Sequence, residues 1–201
     1  MSEYLHLRVR REDCSEPIRD VILCDLWGDD FREAKDNVDV CKELTIIKQA
    51  HRFVLLIDGG KLSRSESKQR AKNDPLMLLR NCLETGMLGK KSVVDVLITK
   101  WDLIQAIDGR EEVVSFVEHV EEEVKNRASD RVARLRFARV ASQATAGDFA
   151  LGHGLSEMFP DWVEAIWGDD VPEKGDVMTE GLSTEFDKYY WRHYSGTIAK
   201  G

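Results

Sequence analysis

The run Val93-Val94-Asp95-Val96-Leu97-Ile98 restricts this chain more than any other stretch. It is almost continuously apolar and rich in β-branched residues, without the alternation of a half-exposed strand. That is the pattern of a strand buried on both faces. Such strands belong to parallel sheets covered by helices on each side, so the surrounding chain is expected to be α/β. The run breaks abruptly into Thr99-Lys100-Trp101-Asp102. The carboxyl end of a parallel strand is where α/β sheets present ligand-binding groups. A lysine there can lay its apolar stem along a flat base. An aspartate two residues on can accept two hydrogen bonds from a ring edge.

Composition removes several function classes. The 201 residues are 42% hydrophobic and 33% charged, as expected of a soluble globular protein. No apolar run approaches the roughly 20 residues needed to span a bilayer, and the polar N-terminus lacks a signal peptide's apolar core. The net charge of −8 argues against a general nucleic-acid surface, and Arg8-Val9-Arg10-Arg11 is too short to reverse it. Cys14, Cys24, Cys41 and Cys82 form no C-x-x-C pair and read as reduced thiols of a cytoplasmic protein. The five histidines are scattered without metal-ligand spacing.

The chain order supplies the remaining elements. Leu5, Leu7 and Val9 alternate with polar residues, and Val21 to Cys24 forms a second apolar run after a polar turn, predicting an antiparallel hairpin. The second run ends in Asp25-Leu26-Trp27-Gly28, followed by an acidic stretch read as a loop. A helix is expected over about 38–51 with Asn37 as N-cap, then a buried strand from Phe53 to Asp58. Gly59-Gly60-Lys61-Leu62-Ser63 superficially resembles a phosphate loop but lacks its spacing and is rejected as one. Residues 64–73 read as a solvated loop or frayed helix. Asp74-Pro75 reads as the start of a helix that Gly86 or Gly89 ends. Asp108 with Glu111 suggests a capping box for a helix over about 110–127. Leu135, Phe137 and Val140 mark a further strand, ending in Ala141-Ser142. A last amphipathic helix ends near Trp167. The domain is therefore drawn at 1–167, with 168–201 as an aromatic-ended tail or docking segment. Trp27 and Trp101 read as packing residues rather than ligand-stacking ones.

Thr99-Lys100-x-Asp102 resembles the guanine-specificity motif [NT]-K-x-D of Ras-like and translation-factor GTPases. Asp25-x-x-Gly28 after a strand is similar to their Walker B and switch motif. Val140-Ala141-Ser142 stands where their final strand meets a loop whose short residues touch the guanine carbonyl with a backbone amide. The order of strands, helices and motifs over about residues 4–167 is that of a Ras-like core. The Trp-rich end and long connections look like GTPase-like domains of bacterial conflict systems. The resemblance implies a three-layer α/β fold, a mostly parallel twisted sheet with one antiparallel edge hairpin. It implies GTP or GDP as ligand, with Thr99, Lys100, Asp102, Ala141, Ser142 and Gly28 at the nucleotide. It implies Mg²⁺ held by Asp25 through water.

The departure lies at the phosphates. G-x-x-x-x-G-K-[ST] occurs nowhere in the 201 residues. The strand that carries it in such GTPases, its loop and the first helix have no counterpart before Asp25. Those groups neutralise phosphate and transition-state charge, so this chain by itself is not expected to hydrolyse GTP. No catalytic residue can be assigned. The missing strand is central in a Ras-like sheet, between the Val21–Cys24 and Phe53–Asp58 strands. Its absence predicts two unpaired edges, which are association sites. Two readings follow: an incomplete guanine-nucleotide-binding domain whose missing strand another chain or segment supplies, or a pseudo-GTPase serving as a protein-interaction module.

Overall fold

A computed structural model describes residues 3–9, 19–25 and 28–164. At its centre is a parallel three-stranded sheet in the order β3 (Arg52–Asp58), β4 (Val93–Thr99), β5 (Arg134–Arg139). Leu56 lies opposite Leu97, and Leu97 opposite Ala138. The middle strand β4 is the run with which the sequence was most committal, and Val94 through Ile98 are all buried.

Successive residues of a strand face opposite sides, and β4 shows what lies on each. Val94, Val96 and Ile98 join the large core with Leu76, Leu79 and Leu83 of helix α5 (Ser65–Glu84) and Val113, Val117, Val120 and Val124 of α7 (Arg110–Ala128). Leu97 belongs to a smaller cluster with Val140 and Met158 of α8 (Leu155–Glu164). Helices therefore cover both faces of the sheet, giving the three layers expected.

The hairpin is present too. Strands β1 (Glu3–Val9) and β2 (Arg19–Asp25) are antiparallel, with Leu5 opposite Leu23. They form a two-stranded sheet of their own, and β2 shares no ladder with β3. The outer edge of β3 is consequently unpaired among the described residues. Leu56 on that strand is 59% exposed, whereas Leu55 and Ile57 on its other face are buried.

Four local expectations are corrected. The acidic stretch after Gly28 is helix α1 (Gly28–Asp36), packed on α5. Asn81 of α5 makes that contact specific, its Nδ2 donating to the carbonyls of Ala34 and Lys35 at 3.0 and 2.8 Å. The helix over 38–51 is two short ones, α2 (Val38–Glu43) and α3 (Thr45–Gln49), broken at Leu44, whose ψ is 56°. Asn37 does cap α2, accepting from the Asp39 amide.

Asp74-Pro75 does not begin a helix, because α5 runs through it for 20 residues. The Asp74 carboxylate accepts from Lys35 Nζ and Arg70 Nε instead of capping. Proline inside a helix removes one backbone bond, a loss that the buried Leu76–Leu79–Cys82–Leu83 stripe outweighs. Finally, α7 is capped by Gly109 at φ 75° with no side-chain bond, so the Asp108–Glu111 capping box is not formed. Gly86, at φ 73°, follows the end of α5 as expected.

Short helices α4 (Gly59–Leu62) and α6 (Trp101–Gln105) follow the ends of β3 and β4. They frame the candidate site. Residues 168–201, with the proposed docking tail, lie outside the described residues, as does the end of the last amphipathic helix.

Candidate functional site

The site begins where β4 stops. Thr99 Oγ1 donates to the Ile57 carbonyl of β3 at 3.3 Å. Lys100 then takes a left-handed conformation, φ 55° and ψ 40°, the one described non-glycine residue at positive φ. For a residue with a Cβ this costs on the order of 1–2 kcal/mol, so the surroundings must impose it. Backbone bonds on both sides do so. Val140 N donates to Ile98 O at 2.8 Å, and Trp101 N donates to Val140 O at 3.0 Å. The turn reverses the chain within one residue and sets Asp102 in the first turn of α6.

Asp102 is buried at 3% exposure, and a loop from the far side of β5 meets its carboxylate. Oδ2 accepts the Thr145 amide at 2.9 Å and the Thr145 hydroxyl at 3.3 Å. The amides of Ala146 and Leu103 face the same carboxylate and favour its charged form. Burial alone would raise the Asp102 pKa, and these donors more than reverse that, holding it below the ordinary carboxylate value.

Lys100 points the other way, its Nζ 2.8 Å from Asp58 Oδ2 at the end of β3. Trp101 packs as expected, 7% exposed, with the Arg139 guanidinium 4.8 Å from its ring centre. Arg139 is in turn held by both oxygens of Glu121 at 3.1 and 3.0 Å.

The structure keeps Thr99, Lys100 and Asp102 in one turn after β4 and places Ala141 and Ser142 just after β5. The Ala141 amide donates to the His153 carbonyl at 3.0 Å, and the Ser142 carbonyl accepts from Gly152 at 3.0 Å. Both residues hold the base of the loop rather than its tip. The small residues that reach Asp102 are Thr145 and Ala146, which sequence reasoning missed. The available signal was a Thr-Ala pair just before Gly147, whose φ of 72° turns the loop.

Asp25 ends β2, opposite Glu3, and Gly28 begins α1. Leu26 and Trp27 lie outside the described residues. A Cβ added at Gly28 would meet nothing within 4 Å, so packing among the described residues does not demand glycine there. No cluster of three or more His, Cys, Asp or Glu side chains among the described residues could hold a metal ion.

This geometry bears on family. A family model for Double-GTPase 2 matches residues 1–163. The chain belongs to the Double-GTPase 2 family. The match runs from β1 almost to the end of α8, and so spans both D-x-x-G and T-K-x-D. No curated protein and no solved structure matches the chain. The Double-GTPase 2 domain is thus GTPase-like and α/β, and no described helix is long and apolar enough to cross a membrane.

Proposed function

We propose that this domain is the guanine-reading part of a nucleotide site, completed at the phosphates by a strand and loop that its 201 residues do not contain. The observation that carries the reading is the Asp102 carboxylate, buried at the carboxyl end of β4 and fixed by the Thr145–Ala146 loop beside Lys100. A guanine presents a ring N–H and an amino group on one edge, two donors that a single carboxylate can accept. Adenine offers no such pair. The Lys100 stem would lie along the base, and the 141–146 loop, with Ala141 and Ser142 at its root, would close over it. Asp25 and Gly28 would face Mg²⁺ and the terminal phosphate of GTP.

Hydrolysis is not proposed for the isolated chain. Without G-x-x-x-x-G-K-[ST] in its 201 residues, the amide cradle and lysine that neutralise the phosphates in such GTPases would have to be supplied by another segment. Asp29, directly after the D-x-x-G glycine, pairs with Arg32 at 3.0 Å. The free edge of β3 is where the completing strand would add, from further sequence of the same protein or from another chain. A cytoplasmic setting fits Cys41 and Cys82, free thiols whose sulfurs share a hydrogen bond at 3.7 Å rather than a disulfide.

Calorimetry tests this. GDP and GTP are titrated into the full chain alone and with a polypeptide carrying a strand and G-x-x-x-x-G-K-[ST]. The expected result is guanine-nucleotide binding that the added segment strengthens and Asp102→Ala abolishes, with ATP inert. No guanine-nucleotide binding in either setting would sink the reading. It would leave the pseudo-GTPase alternative, a protein-interaction module, which the exposed Leu56 beside an unpaired strand edge favours.

A further inference from the structure

We infer that Asp58 and Gly60 are positioning residues of the base pocket, which together set the course of the Lys100 side chain. The inference rests on the guanine-site reading above. It also gives a role to the Asp58-Gly59-Gly60 sequence, where β3 passes into α4.

Asp58 divides its two oxygens between two tasks. Oδ1 accepts the Lys61 amide at 3.1 Å and so caps α4, which fixes the carboxylate's rotation. Oδ2 is thereby aimed at Lys100 Nζ, 2.8 Å away. Between the two residues lies Gly60, which is buried. A Cβ built on it would stand 3.2 Å from Lys100 Cδ and 3.2 Å from Asp58 Oδ1. The lysine stem therefore lies close against bare backbone, where an added Cβ would press on it. Gly59 allows the approach itself, since its Cβ would fall 2.3 Å from the Thr99 carbonyl oxygen.

The left-handed backbone of Lys100 fixes where its side chain starts, and Asp58 fixes where it ends. A lysine free at its tip loses rotamer entropy when a ligand orders it. One already tethered across Gly60 loses less. The ammonium is also matched by a carboxylate, so the methylene stem is the part left to face a base.

The test uses guanosine, which lacks phosphates and reads the base pocket alone, titrated into the full chain and followed by saturation-transfer NMR. Asp58→Asn is the central variant, because its amide oxygen can still cap α4 while the charge that holds Lys100 is gone. Asp58→Asn and Gly60→Ala are each expected to weaken guanosine binding at least about threefold, on the scale of one partly exposed ion pair. Asp58→Glu should recover part of the loss. In a Lys100→Ala background Asp58→Asn should have no further effect, which distinguishes positioning through Lys100 from a general effect on the fold. Wild-type-like guanosine binding by Asp58→Asn, or an equal loss with and without Lys100, overturns the inference and leaves the guanine reading standing. Absence of guanosine binding by the unaltered chain overturns both, and Asp102→Ala identifies that case by being indistinguishable from it.

Discussion

The Arg136 guanidinium of β5 grips the Asp95 carboxylate of β4, Nε to Oδ1 at 2.9 Å and Nη2 to Oδ2 at 3.2 Å. From the other side Arg52 of β3 reaches Oδ2 at 2.6 Å, and Trp162 of α8 donates its indole N–H at 2.8 Å. Asp161 binds Arg136 and Arg134 in turn. One fully buried carboxylate thus ties all three parallel strands to the helix on their second face.

Removing that carboxylate leaves the largely buried Arg52 and Arg136 guanidinium groups only their contacts with Asp161 among the described residues. Asp95→Ala is expected to cost about 3–5 kcal/mol, the range for breaking a buried pair from one side, whereas Trp162→Phe should cost about 1 kcal/mol. Urea unfolding of both variants checks the ranking. Burial pushes the Asp95 pKa up, but the bonds from Arg136 and Arg52, with Trp162, outweigh it and hold the group below its ordinary value. A depressed carboxylate adds stability that is fully present above its unfolded pKa of about 3.9 and is lost as pH falls through the folded value. Asp95→Asn should therefore flatten the acid limb of the stability profile below about pH 4.

The loop on Asp102 offers a graded test. Thr145→Val keeps the amide bond and loses only the hydroxyl, at the long distance of 3.3 Å, and should cost about 0.5–1 kcal/mol. Asp102→Ala removes the acceptor of the Thr145 amide and hydroxyl together, and with it the charge that the Ala146 amide faces. Hydrogen exchange at Thr145 and Ala146 is expected to rise steeply in that variant and only slightly in Thr145→Val. Equal exchange in the two would show that something other than the carboxylate orders the loop.

These two carboxylates mark what could be read from sequence. The β4 run announced its own burial, and with it the parallel sheet, the covering helices and the T-K-x-D turn at its end. Asp102 was legible because its position after a buried strand has a chemical meaning. Asp95 was not, since its partners lie 43, 41 and 67 residues away and no local pattern signals them. The same holds for Thr145 and Ala146, whose role depends on a loop returning across the end of the sheet. Asp74-Pro75 misled for the opposite reason. Its local signal is a genuine helix start, and the tertiary packing of α5 overrides it.

Cys41 and Cys82 are fully buried, and their sulfurs are 3.7 Å apart. Burial, with Cys41 as neighbour, pushes the Cys82 thiol well above its ordinary pKa. Burial closes both sulfurs to a reagent, and Cys82 forms little of the reactive thiolate, so both thiols should resist a disulfide reagent in the folded chain. Modification followed by peptide mapping should find them labelled only after denaturant is added. Rapid labelling of either in the native state would show that α2 and α5 separate readily.

The last prediction concerns the free edge of β3. Parallel sheets are ordinarily covered on both faces and paired along their strands. Here α8 reaches Val54 but leaves Leu56, two residues along the same face, 59% exposed. An exposed apolar residue beside unpaired backbone promotes association between chains. Leu56→Lys places a charge on that edge without touching the buried Leu55 and Ile57 face. It should leave the melting temperature within about 2 °C of the unaltered chain while reducing concentration-dependent association, because exposed substitutions away from special features seldom shift stability by more than about 0.5 kcal/mol. Light scattering over a concentration series reads the second effect. A large drop in melting temperature would show that Leu56 is already covered within the chain, and the edge would then not be open to a completing strand.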